Sequence, residues 1–105
     1  TGEILIPEFT VNGHASGERS EPSDEPGFVE TKLRWTFPLA FAEIISGDGT
    51  RVDRQRIDLT DTSPFGERTL RIPVNLTGKT WVRLEIWDVA RNGAFTQPVW
   101  LAPKR

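Results

Sequence analysis

In the run FVETKLRWTF, residues 28–37, apolar and polar side chains alternate without a break. Val29, Thr31, Leu33 and Trp35 fall on one side; Glu30, Lys32 and Arg34 fall on the other. A period of two is the mark of a strand with one face buried and the other wet. Nothing of helical length elsewhere reads as an amphipathic helix. Short β-rich runs separated by turn residues fill the chain instead, the pattern of an all-β sandwich or barrel.

The other runs follow in order. EILIPEFTVN (3–12) reads as one or two short strands broken at Pro7, and the polar, unpatterned stretch 13–27 reads as a mobile loop. LAFAEIIS (39–46) is a strand, turned by Gly47-Asp48-Gly49 into TRVDRQRIDL (50–59); both glycines are expected to supply positive φ. In that second strand Val52 differs in parity from Ile57 and Leu59, which predicts a bulge between them for the last pair to share a face with Val52. DTSPFGE (61–67) turns again, and RTLRIPV (68–74) sets Leu70, Ile72 and Val74 on one side. Pro73 there points to an edge or a strand end.

The stretch WDVARNGAFTQPVW (87–100) is the densest in the chain. Asn92-Gly93 as the centre of a type I′ turn predicts a hairpin pairing Arg91 with Ala94, Asp88 with Gln97, Ile86 with Val99 and Leu84 with Leu101. That register places Val82, Leu84, Ile86, Phe95, Val99 and Leu101 on one face. Trp81, Arg83, Trp87, Val89, Pro98 and Trp100 share the other. Asp88 and Gln97, with Asn92 and Gly93, are structural hairpin residues, expected to satisfy backbone groups at the sheet end.

A chain of 105 residues is enough for one domain with one core. With 13 basic and 15 acidic residues it offers no polycation for a phosphate backbone, so no nucleic-acid partner is expected. The absence of cysteine excludes disulfides, thiolate zinc sites and a cysteine nucleophile. The longest apolar run, FPLAFAEII, holds Glu43 and falls well short of the about 20 residues a spanning helix needs, so no membrane partner is expected either. No leader pattern opens the chain, which begins at Thr1 as an excised domain would; the compartment is left open.

Catalytic and metal chemistry find little to work with. His14 is the sole histidine and has no second ligand or nucleophile at a fitting spacing. Asp48, Asp53, Asp58 and Asp61 lie among Arg51, Arg54 and Arg56, which would repel a cation, and they lack the ligand spacing of a calcium loop. They read as salt-bridged or solvated hairpin flanks. Asn75-Leu76-Thr77 matches a glycosylation sequon, to which no function is assigned. No catalytic residue, metal ligand or cofactor is expected, and the domain is not expected to be an enzyme.

The tryptophans are more informative. Trp35 shares parity with core residues on its strand. Trp81, Trp87 and Trp100, with Arg83 and Pro98, share the far face of the last hairpin, and three readings fit them. Arg83, Pro98 and the N-terminal loop simply cover them; they form an interdomain interface; or they form a platform on which sugars or bases stack.

The run GKTWVRLEIWDVARNGAFTQPVWL (78–101) resembles the tail of bacterial metallohydrolases of the polymerase-and-histidinol-phosphatase (PHP) type, in their carbaryl-hydrolase-like branch. The matching positions are Arg83, Asp88, Asn92-Gly93, Ala94, Gln97-Pro98 and Trp100, and FPLAFAEIISGDG (37–49) is similar to the segment preceding that signature. Gln97 stands where many members carry Asn. The resemblance implies a small β-sandwich accessory domain at the C-terminal end of a longer protein, whose partner is the catalytic domain of the same parent chain. It carries over no catalytic residue.

The expectation is therefore a single immunoglobulin-like or fibronectin-III-like β-sandwich of about seven antiparallel strands over residues 1–105. Its core is expected from Val29, Leu33, Trp35, Ile44, Leu70, Ile72, Val82, Leu84, Ile86 and Val99. Two functions follow: a non-catalytic accessory or interaction domain of a metal-dependent hydrolase, or a freestanding carbohydrate- or ligand-binding module that uses the tryptophan face.

Overall fold

A computed structural model describes residues 3–15, 19–20, 27–76 and 78–101, of which 14–15 and 19–20 enter by their backbone alone. No helix occurs among the described residues. The strands are β1 (Ile4–Val11), β2 (His14–Ala15), β3 (Arg19–Ser20), β4 (Gly27–Trp35), β5 (Leu39–Gly47), β6 (Val52–Asp58), β7 (Gly66–Val74), β8 (Trp81–Asp88), β9 (Gly93–Phe95) and β10 (Val99–Leu101). They form two sheets, ordered β2-β1-β4-β7 and β3-β10-β8-β5-β6, with β9 pairing beside β10 on the free side of β8. All pairs are antiparallel except the short β3–β10 contact, which is parallel.

The alternating run supplies β4, where Val29, Thr31, Leu33 and Trp35 are buried and Glu30 and Arg34 are exposed. Together with Phe9, Val11, Ile72 and Val74 they form the inner face of the first sheet. Ala42, Ile44, Val82, Leu84, Ile86, Val99 and Leu101 face them from the second sheet. Of the expected core only Leu70 stays half-buried. Thr31, the one polar side chain on the inner face of β4, donates its hydroxyl to the Glu8 carbonyl at 2.8 Å, so its burial leaves nothing unsatisfied.

Local patterning foretells some of these elements and misses others, each for a physical cause. Pro7 does not split the first run: β1 is continuous, and the pairing register with β4 shifts between Leu5 and Glu8. Pro73 sits in β7, which pairs only with β4 among the described strands. No bulge interrupts β6, whose register against β5 is regular from Val52 to Asp58. Val52 instead points outward and stays exposed. Gly49 has the expected positive φ of 96°, but Gly47 does not. Gly47 is required for closeness, because a Cβ there would lie 2.5 Å from the Trp81 indole. The stretch 13–27, expected as a loop, contributes the two-residue strands β2 and β3 and the first residue of β4; its remaining positions between 16 and 26 lie outside the described residues.

The C-terminal hairpin has a different register from the one expected of a type I′ turn. Val99 pairs with Val82 rather than Ile86, and Ala94 pairs with Ile86 rather than Arg91. The turn is the three-residue segment Val89-Ala90-Arg91, with Arg91 at φ 66° and neither Asn92 nor Gly93 left-handed. Arg91 donates its N–H to the Asp88 carbonyl at 3.1 Å and Asp88 donates to the Asn92 carbonyl at 3.0 Å, closing a three-residue loop with a left-handed last position. Asp88 decides this. Its buried carboxylate accepts the Asn92 backbone N–H and the Asn92 side-chain amide, both at 2.9 Å, and a turn centred on Asn92-Gly93 would forfeit both bonds.

Candidate functional site

Every second residue of the second sheet points away from the core, and the register brings these residues into rows. Trp87 pairs with Phe41, and Phe41 with Asp58. Glu85 lies between Phe95 on β9 and Glu43 on β5, and Glu43 pairs onward with Arg56. Arg83, Ile45 and Arg54 form the third row; Trp100, Trp81, Gly47 and Val52 form the fourth. The outcome is a face of five aromatic rings set among three arginines and three carboxylates.

Trp81, Arg83 and Trp87 stand on this face, all half-buried, and Trp100 stands beside Trp81 with 45% of its surface exposed. Pro98 is half-buried in the segment between β9 and β10, and Gln97 is exposed rather than opposite Asp88. Phe95, expected on the same face as Leu84 and Ile86, is on the outer face and 57% exposed. The reason is parity. The slip of β10 from Ile86 to Val82 is four residues, an even number that preserves the faces, whereas the slip of β9 from Arg91 to Ile86 is five and turns Phe95 over. Thr96 makes the break between β9 and β10 tolerable: its hydroxyl accepts the Leu84 N–H at 2.9 Å, while its own N–H donates to the Leu84 carbonyl.

Phe41, Glu43, Ile45, Arg54 and Arg56 join the face although hairpin reasoning alone does not assign them to it. The alternation within LAFAEIIS is the signal that could have found them. Ala42 and Ile44 alternate with Phe41, Glu43 and Ile45, so the strand carries apolar residues on both sides and must have cover on both.

The charges on the face are spent internally. Glu43 is 8% exposed and takes Arg54 at 3.7 Å and Arg56 at 3.6 Å. Glu85 accepts Arg83 Nη1 at 2.7 Å through one oxygen and the Trp87 indole N–H at 3.3 Å through the other. Those partners separate two carboxylates that the register sets directly opposite each other. Arg56 also lies over the Phe41 ring, 4.0 Å from its centroid, and Trp87 meets Phe95 edge-on at 5.6 Å. The aromatic residues left exposed on the face are Trp100 and Phe95, and along β6 Val52, Arg54, Arg56 and Asp58 are exposed with them.

The other residues weighed for chemistry are held locally. Asp48 accepts the N–H groups of Arg51 and Thr50 and the Thr50 hydroxyl, and these bonds lower its pKa to about 2. Asp58 accepts the Thr60 hydroxyl and N–H, which also lowers its pKa. Asp53 pairs with Lys79, and Asp61 with Arg68 at 3.2 Å. Among the described residues no three His, Cys, Asp or Glu side chains gather where they could hold a metal. His14 enters only by the backbone of β2.

No family model matches the chain, and neither the curated proteins nor the solved structures contain a match to it.

Proposed function

We propose that this chain is a non-catalytic interaction domain of the immunoglobulin-like or fibronectin-III-like kind, which binds a protein surface through the aromatic outer face of its second sheet. The strand order supports the fold type: β1-β4-β7 lies against β10-β8-β5-β6, and counting β9 and β10 as one interrupted strand leaves seven principal strands. The partner that the PHP-type resemblance implies is the catalytic domain of a metal-dependent hydrolase.

One observation carries the functional reading: Trp81, Trp87, Trp100, Phe95 and Phe41 stand together on a sheet face that the core does not use. Aromatic residues and arginine are the groups enriched at the centres of protein interfaces. A sugar platform would need carboxylates free to receive hydroxyl groups beside the indoles. Glu43 and Glu85 are only 11% and 13% exposed at the side chain and already engaged, and Asp58, exposed on β6, accepts the Thr60 hydroxyl and N–H, which favours a protein over a carbohydrate.

Hydroxyl-radical footprinting tests the reading by comparing the purified chain with the same sequence in lysate of its source. Severalfold protection of Trp100 and Phe95 in the lysate is expected. Equal labelling in both would refute it, and a tryptophan fluorescence change with glycans would replace it by the carbohydrate module.

A further inference from the structure

Far from the tryptophan pair at Trp81 and Trp100, three connecting segments meet at one end of the sandwich. Phe65 donates its N–H to the Thr36 carbonyl at 2.8 Å, and Val89 donates to the Pro38 carbonyl at 2.9 Å, so the segments 36–38, 59–65 and 88–92 are tied into one surface. Thr62 locks it from beneath, accepting the Leu39 N–H at 2.7 Å and donating to the Leu59 carbonyl. Four large apolar side chains are exposed on this surface or at its margin: Leu5, Phe37, Phe65 and Val89.

Phe65 is the extreme case. It is 82% exposed, the most of any large apolar residue described, and its backbone sits at φ 57°, where a bulky side chain is strained. A shallow cleft of about 380 Å³ opens beside it, lined by Leu5, Trp35, Thr36 and the Arg34–Glu67 ion pair as well as by Phe65 itself. A protruding ring thus stands next to a hollow with an apolar wall, and on the rim the cation Arg34 stands with two anions, its ion-pair partner Glu67 and Glu3. Both pairings are complementary to themselves under a twofold axis.

We propose that this end is the interface of a twofold homodimer, in which Phe65 of each copy fills the cleft of the other. The occupant is a second copy because the ring and the hollow, and Arg34 and Glu67, find their counterparts on the same patch. Arg34 meets Glu67 of the partner subunit, and the reciprocal contact closes the pair. With Glu3 beside the Arg34–Glu67 pair, the cleft has no surplus positive charge that would draw an anionic lipid or a phosphate backbone. The site is independent of the aromatic sheet face and can fail without it.

Sedimentation equilibrium on the full chain decides the matter. The mass is expected to rise towards that of a dimer as concentration approaches the order of 1 mM, a range in which weak contacts become half-populated. Phe65→Gly removes the ring while accepting the positive φ, so this variant folds and is expected to weaken the dimer at least about tenfold. Arg34→Glu is expected to weaken it as well, and Arg34→Glu combined with Glu67→Arg to restore it. The exposed ion pair contributes too little to folding for these changes to unfold the chain. A wild-type chain that remains monomeric throughout overturns the proposal. So does a dimer that Phe65→Gly leaves intact, or growth beyond two copies.

Discussion

The two sheets turn very different faces to the outside. The outer residues of the first sheet are Glu30, Lys32 and Arg34 on β4 with Glu67, Thr69 and Arg71 on β7, paired across the strands as charges and hydroxyls. The one aromatic ring on it among the described side chains, Phe28, lies under the Arg71 guanidinium at 4.2 Å. That is all a half-buried sheet needs in order to stay soluble. The second sheet has the same backbone geometry and equal freedom to be polar, yet it carries Phe41, Trp81, Trp87, Phe95 and Trp100. Holding a sandwich together does not require those rings on that side. On the proposed function, the contrast separates what the fold uses from what is presented to a partner.

Four substitutions break or sharpen the contrast, measured by chemical unfolding of the isolated chain except where stated. Leu84→Ala sets the scale for the inner face of β8: it removes a fully buried side chain and is expected to cost about 2–5 kcal/mol. Gly47→Ala is next, since its Cβ would collide with the Trp81 indole. An expected loss of about 1–3 kcal/mol would show that the aromatic face is packed as closely as a core. Trp100→Ser and Lys32→Ala compare the two outer faces directly. Each is expected to stay within about 0.5–1 kcal/mol of the parent, but only Trp100→Ser should abolish the protection of Phe95 expected in lysate. If Trp100→Ser were as costly as Leu84→Ala, the aromatic face would belong to the core.

The smallest effect concerns acid. The pKa of Asp48 is lowered from 3.8 to about 2 by the N–H groups of Arg51 and Thr50 and by the Thr50 hydroxyl. A depressed carboxylate contributes its full stability above pH 3.8 and loses it as pH falls towards 2. Asp48→Ala should therefore lower Tm slightly near neutrality and flatten the fall of Tm in that window. An unchanged acid limb would mean that the turn at 47–51 does not depend on the ionised group.

Much of the fold is legible in the order of residues alone. The alternation in 28–37 marks one face of the first sheet, and the parity of Leu84, Ile86 and Val99 marks the inner face of the second. Both follow from a side-chain period of two, which is a local property. The register of the last hairpin is not legible. An Asn-Gly dipeptide is a strong turn signal, yet the Asp88 carboxylate offers two hydrogen bonds to Asn92 and moves the turn upstream. The position of Phe95 follows from that choice and is misjudged with it.

The aromatic platform is half legible for the same reason. Trp81, Trp87 and Trp100 can be placed on one face by parity, but no local rule can set Phe41 beside Trp87 or Glu43 beside Glu85. Those neighbours come from β5 pairing with β8, two strands far apart along the chain, for which the sequence holds no counting device. By itself the sequence determined which side of β4, β7 and β8 faces inward and that thiol chemistry is absent. The tertiary structure alone decided which outward residues meet, how the two facing carboxylates are each neutralised, and that Phe65 stands beside a cleft. The physical reason is that facing depends on neighbours two residues apart, whereas meeting depends on free-energy differences between whole registers.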